Sequence, residues 1–181
     1  MHVVSVNVSA GTIIEWQGRR VLTGIFKQPV ADRVLVRKNG LVGDRQGDLT
    51  VHGGERKAVY SYSVANYEWW NRELGRVLPP GMFGENLTID GLDEESIALG
   101  DRFSIGNTIL EALQPRLPCY KLGVRFGDPR MVKRFMHSGR FGTYFRVVTE
   151  GDVGAGDEVR LVHHDPASVP VTSLVNLRRE A

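Results

Sequence analysis

The sequence predicts a mainly β fold, a β-barrel core with a few peripheral α-helices, and three observations predict it. Short runs rich in β-branched and aromatic residues recur along the chain, glycine-containing turns separate them, and only a few segments carry helical signals. Full closure is the usual way for a sheet of many short strands to remove its exposed edges, so a barrel is the expected architecture. The 181 residues suit a single domain, expected over residues 1–165, with a tail over 166–181 that forms at most a short helix from Thr172 to Arg179.

Taken in order, Thr12–Trp16 and Arg19–Ile25 read as a hairpin around Gln17-Gly18. Arg33–Lys38 places Val34 and Val36 on one face, Lys57–Ser61 enters a further strand, and Leu87 and Ile89 alternate in a short one. Asp101–Ile105 and Thr108–Leu113 flank Gly106-Asn107, a second hairpin, and Phe141–Thr149 and Glu158–Val162 complete the strand set. The helix expected over Val64–Leu74 has Ser63 as N-cap and Val64, Tyr67, Trp70 and Leu74 on one face. A second, from Pro129 to about Ser138, has Asp128 as cap, Pro129 at its first position, an apolar face of Val132, Phe135 and Met136, and Gly139 as terminator.

Bulk properties narrow the function. A net charge of +2, from 23 basic and 21 acidic residues, is too balanced for a protein that neutralises many phosphates, so no nucleic-acid partner is expected and any anion binding must be local. Mean hydropathy of −0.20 and the lack of a long apolar run predict no membrane span. Met1–Val6 has no basic region ahead of its apolar residues, so no secretory leader is expected. A single cysteine cannot form an internal disulfide, which fits a reducing compartment; the cytoplasm is the expected location.

Three loops can carry chemistry. Gly40-Leu-Val-Gly43-Asp44 followed by His52-Gly53-Gly54 and Lys57 reads either as a tight turn or as a backbone nest for an oxyanion, with His52 and Lys57 adding charge. Gly84-Glu85-Asn86 precedes a strand, and the Asn86 carboxamide both donates and accepts, as recognition of a heterocycle edge requires; turn formation explains the tetrapeptide equally well. Gln114-Pro-Arg116-Leu-Pro118-Cys119 offers the only thiol from a loop stiffened by two prolines, with Arg116, Lys121 and Arg125 nearby to favour the thiolate, the form that attacks or binds soft metals. The alternative for Cys119 is a small buried hydrophobe. Trp69, Trp70 and Phe83 line a substrate mouth or pack in the core. There is no Gly-x-Ser-x-Gly elbow, Walker loop or His-Glu-x-x-His helix, and the five histidines show no metal-ligand spacing with Cys119.

In this order, the loops resemble the MOSC family, named for the carboxy-terminal domain of molybdenum cofactor sulfurases. The matching segments are Gly40–Asp44, Val51–Gly54, Lys57–Tyr60, Gly84–Leu87, Leu99–Asp101, Gln114–Arg116 with Pro118-Cys119, and Gly151–Asp157; Thr23–Val30 and Tyr67–Trp70 are similar to the stand-alone bacterial members. The resemblance implies a β-barrel core and a molybdenum cofactor, molybdopterin carrying the metal, with Cys119 as metal ligand and catalytic residue. It implies His52, Gly53, Gly54 and Lys57 for the phosphate or pterin, Asn86 for the pterin edge and Arg116 for charge beside the metal. The implied reaction is reduction of small N-hydroxylated compounds, with electrons from an external electron-transfer protein, because one cysteine cannot ligate an iron–sulfur cluster. Two other functions fit the same loops: a cofactor carrier or sulfur-transfer protein, and a barrel that binds an anionic small molecule.

Overall fold

The computed structural model describes residues 1–47 and 53–177. Among the described residues thirteen strands, β1 to β13 in chain order, form three sheets. The largest contains β1 (His2–Val8), β4 (Gln28–Val30), β7 (Val59–Ser63), β8 (Leu87–Asp90), β9 (Arg102–Ile105), β10 (Thr108–Pro115), β11 (Thr143–Thr149) and β13 (Val159–His163), in the order β13-β9-β10-β11-β7-β8-β1-β4. A three-stranded sheet joins β5 (Val34–Arg37), β6 (Gly40–Leu41) and β12 (Gly151–Val153). The expected hairpin of β2 (Thr12–Trp16) and β3 (Arg19–Thr23) forms the third, with Gln17 and Gly18 both at positive φ, as its two-residue turn requires.

The fold is mainly β, as expected, but the expectation of a closed barrel is corrected. The large sheet is an open ladder with β13 and β4 at its ends. Strand β4 occupies the edge of β1 over Val6–Val8, so only the first residues of β1 are left to approach β13. They meet it through a single bridge, His2 with Glu158, flanked by backbone bonds from Val3 N to Asp157 O and from Val159 N to Met1 O, both 2.9 Å.

All neighbouring pairs in the large sheet are antiparallel except β7 and β8. Parallel neighbours need a crossover, and helix α1 (Val64–Leu74) begins it. The Ser63 side chain accepts the Asn66 N–H, and Gly75 ends the helix in the left-handed conformation. Helix α3 (Met131–Ser138) is the second expected helix; Asp128 accepts the Arg130 N–H at its start and Gly139 terminates it at φ 72°. Several elements go beyond the sequence expectations: β1, the short strands β4, β6 and β12, and helix α2 (Tyr120–Phe126). The tail folds into a 3-10 turn at Val171–Ser173 and a short helix α4 (Leu174–Leu177). Val171 is fully buried in the main core and Val169 O accepts the Leu99 N–H, so this segment docks on the body of the sheet.

Two hydrophobic clusters fill the molecule. One lies between the strands and includes Val3, Val6, Ile89, Phe103, Leu110 and Phe145. The other is aromatic and joins β7 to the helices through Tyr62, Trp70, Phe83, Phe135 and Phe141. Trp70 and Phe83 are fully buried there, which makes them packing residues; Trp70 Nε1 donates to Tyr62 Oη at 2.8 Å. Truncating Leu110 to Ala, which empties a fully buried site, is expected to cost about 2–5 kcal/mol, whereas Ile13→Ala on the exposed β2 is expected to stay within about 0.5 kcal/mol. Urea unfolding of the two variants measures both.

Candidate functional site

The site is built where β7 and β8 begin and β10 ends. Its cavity is lined by residues from the Thr23–Lys27 connection, the Asp44–Gly47 loop, Lys57, Tyr60, Gly84, Asn86, the Arg116–Lys121 loop and Tyr144. The cavity measures about 80 Å³, room for a few water molecules, and opens to solvent, so a larger ligand extends beyond it.

Strand β10 runs two residues past its expected end, pairing Gln114 with Tyr144 and Pro115 with Thr143. Arg116 therefore leaves a paired strand and points inward, only 6% exposed. Its guanidinium lies over the rings of Tyr60 and Phe135, at 5.2 and 5.5 Å. Its Nη1 is buried without a hydrogen-bond partner among the described residues. Burial raises the pKa of Tyr60 and of Tyr144, so they stay neutral. Cys119, two residues beyond Leu117, is partly exposed on the cavity wall and immediately precedes α2. Trp16 of the β2–β3 hairpin stacks on Tyr120, with ring centroids 4.6 Å apart, and braces the start of that helix.

The opposite wall is a buried ion pair. Lys27 Nζ lies 2.5 and 2.6 Å from the two Asp44 oxygens, with both side chains less than a tenth exposed. Asp44 also accepts the Ser9 N–H at 2.9 Å and the Asn86 amide at 2.9 Å. Burial pushes the Lys27 pKa below the usual lysine value, against the opposing pull of Asp44. Behind the pair, the fully buried Glu85 accepts Tyr67 Oη at 2.6 Å, Thr88 Oγ1 at 2.8 Å and the Gly81 N–H at 2.7 Å; burial raises its pKa.

Of the residues expected from sequence, the structure brings Lys57, Asn86, Arg116 and Cys119 to one cavity. Gly53 and Gly54 are not among its lining residues. Gln46 clamps their segment, accepting the Gly54 N–H at 2.9 Å and donating to Lys57 O at 3.3 Å. His52 lies outside the described residues. The Asn86 carboxamide is engaged, accepting from Tyr60 N at 3.1 Å and donating to Asp44 and to Asn7 O. Lys27, Tyr60, Gln46 and Tyr144 are site residues that the sequence expectations omit. Lys27 sits in the Thr23–Val30 segment and Asp44 in a Gly-Asp pair that also fits a turn, so neither announces its partner.

An open β-sheet protein with a cation-rich cavity and one thiol on its wall is the class that these observations define. The MOSC domain model matches residues 48–160, and the chain belongs to that family. YflK of Bacillus subtilis is 38% identical over 169 residues, 93% of this chain and 76% of its own. A protein of Gibberella moniliformis named "Reductase" is 32% identical over 97% of this chain, which spans 32% of that longer protein. Among solved structures, YiiM from Geobacillus stearothermophilus aligns with a TM-score of 0.79 at 32% identity, covering 98% of this chain and 83% of that one. The relatives include stand-alone bacterial proteins, and no helix among the described residues is long and apolar enough to cross a membrane.

Removing one charge of a buried pair strands the other, so Asp44→Asn is expected to lose about 3–5 kcal/mol of stability. Combining it with Lys27→Met is expected to recover much of that loss. A double-mutant cycle by denaturant unfolding tests the coupling.

Proposed function

We propose that this MOSC protein is a molybdenum-cofactor-dependent reductase of small N-hydroxylated compounds, working in the cytoplasm with electrons from a separate electron-transfer protein. The observation that carries the reading is a lone thiol sharing a cavity with a buried guanidinium whose Nη1 has no partner among the described residues. An unpaired buried donor calls for an anionic acceptor, and a thiolate calls for a soft metal. Among the described residues no three His, Cys, Asp or Glu side chains gather around one point, so a metal here must bring most of its ligands with it. A pterin dithiolene with a phosphate has that character, and the donor set fits it.

In this reading Cys119 is the protein's ligand to the metal and the catalytic residue. Lys57, Gly53, Gly54 and His52 hold the phosphate or pterin, and Arg116 places positive charge beside the metal. Asn86, expected at the pterin edge, has its carboxamide bonded to Tyr60 N, Asp44 and Asn7 O, so its part is to shape the wall rather than to bond the pterin. When bound, the cofactor supplies two-electron chemistry at the N–OH bond. The chain binds the substrate at the cavity mouth and stabilises negative charge on the leaving oxygen with Arg116. Reduction of N–OH to N–H with release of water consumes two electrons and two protons. This chain has one cysteine and therefore cannot ligate an iron–sulfur cluster, so the electrons arrive from a partner. The relative named "Reductase" supports the reaction class.

Protein purified from a molybdenum-replete host is expected to contain molybdenum, and Cys119→Ser at equal folded protein to lose about tenfold or more of it. Hydroxylamine reduction with a chemical electron donor is expected to depend on Cys119 in the same way. Molybdenum retained without turnover marks a carrier instead, and molybdenum absent from the wild type overturns the cofactor assignment.

A further inference from the structure

Away from the cavity, the turn at residues 140–142 gathers bonds from Arg116 and from two tyrosines of the aromatic core, Tyr60 and Tyr62. Phe141 O accepts Tyr60 Oη at 2.9 Å, Arg140 O accepts Tyr62 Oη at 3.0 Å, and Gly142 O accepts the Arg116 N–H at 3.4 Å. Gly142 has φ +65°, and a Cβ there would lie 2.4 Å from Ser61 O and 2.6 Å from the Tyr60 ring, so the turn is pressed directly onto β7. The turn's own anchor is Glu94, from the loop after β8. One carboxylate oxygen accepts the Ser63 N–H at 2.7 Å; the other accepts the Asn66 amide at 2.7 Å and the Gly142 N–H at 3.0 Å.

We propose that Glu94 is a positioning residue for the cavity: by holding Gly142 against the start of α1, its carboxylate fixes the turn that orients Arg116 and Tyr60. The proposal is independent of which ligand the cavity takes. Its chemical consequence is a dependence on the ionisation of Glu94. A protonated carboxyl presents an O–H toward one of three N–H groups, so at least one tether is lost and the turn relaxes. Burial raises the pKa of Glu94 to about 7, opposed by its three hydrogen bonds and by the positive charge of Arg140. Arg140 is the cation facing it from the turn. Glu68 on α1, and Asp90, Asp93 and Glu95 on the strand end and loop that carry Glu94, line a second cavity, separate from the Cys119 site, together with Glu94 and Arg140. Tyr60 and Tyr62, on β7, stay neutral because burial raises both.

The test follows the Arg116 side-chain Nε–H resonance by ¹⁵N NMR from pH 5.5 to about 8.5, assigned by its disappearance in Arg116→Lys. Wild type is expected to show an inflection near pH 7, and Glu94→Gln to lose it. Should Glu94→Gln fail to fold, Arg140→Gln decides: removing the positive charge that favours ionised Glu94 is expected to move the midpoint to higher pH. A purely structural Glu94 leaves the Arg116 resonance flat across this range. A flat titration, or an inflection unchanged in both variants, overturns the proposal.

Discussion

The site depends on keeping one guanidinium almost out of water. Arg116 is buried, and a cation in that position costs several kcal/mol unless its surroundings replace hydration. The fold replaces part of it with the faces of Tyr60 and Phe135. Those rings belong to the aromatic core between β7 and α3, so the packing of the core and the charge of the cavity are one arrangement. Strand β10 must also keep its pairing to Pro115, because that pairing delivers Arg116 to the rings.

The opposite wall solves the same electrostatic problem by pairing instead of stacking. Lys27 and Asp44 neutralise each other, the Ser9 N–H and the Asn86 amide donate to Asp44, and Asn7 O in turn accepts from that amide. A bare pair in this setting gains little over an apolar one, so the network is better understood as a device of shape. It fastens the Thr23–Lys27 connection, the Asp44 loop and the entry to β8 at one point. One wall thus holds a cation unpaired among the described residues and the other a neutral, rigid surface, which leaves net attraction for an anion concentrated near Arg116 and Cys119. Overall charge of +2 gives no hint of that local imbalance.

Much of the fold was legible in the sequence. The helix starting at Ser63, the helix ending at Gly139 and the turn at Gln17-Gly18 all carry local signals that fix their conformation within a few residues. Helix α2 was not legible, because its seven residues include Gly123 and are too few for a periodic apolar face to stand out. The open sheet was not legible either: closure depends on whether β4 takes the edge of β1, which is a competition between distant segments and leaves no local trace. The candidate site divides along the same line. Cys119 and Arg116 share one loop, so their nearness follows from spacing, while Lys27 and Tyr144 reach the cavity only through tertiary pairing.

The parallel step between β7 and β8 explains why distant loops meet there at all. Parallel strands start at the same end of the sheet, so the segments that precede them, carrying Lys57 and Asn86, emerge side by side. An antiparallel pair would send one of these segments to the far end. Strand β11 runs antiparallel to β7 with Tyr144 opposite Tyr60, which places Gly142 at the end where Glu94 waits beside α1. The crossover helix that the parallel step demands therefore also supplies Asn66 and the Ser63 N–H, two of the three donors that hold the Glu94 carboxylate. Topology brings the cavity loops together and, in the same stroke, builds the anchor that keeps them in register.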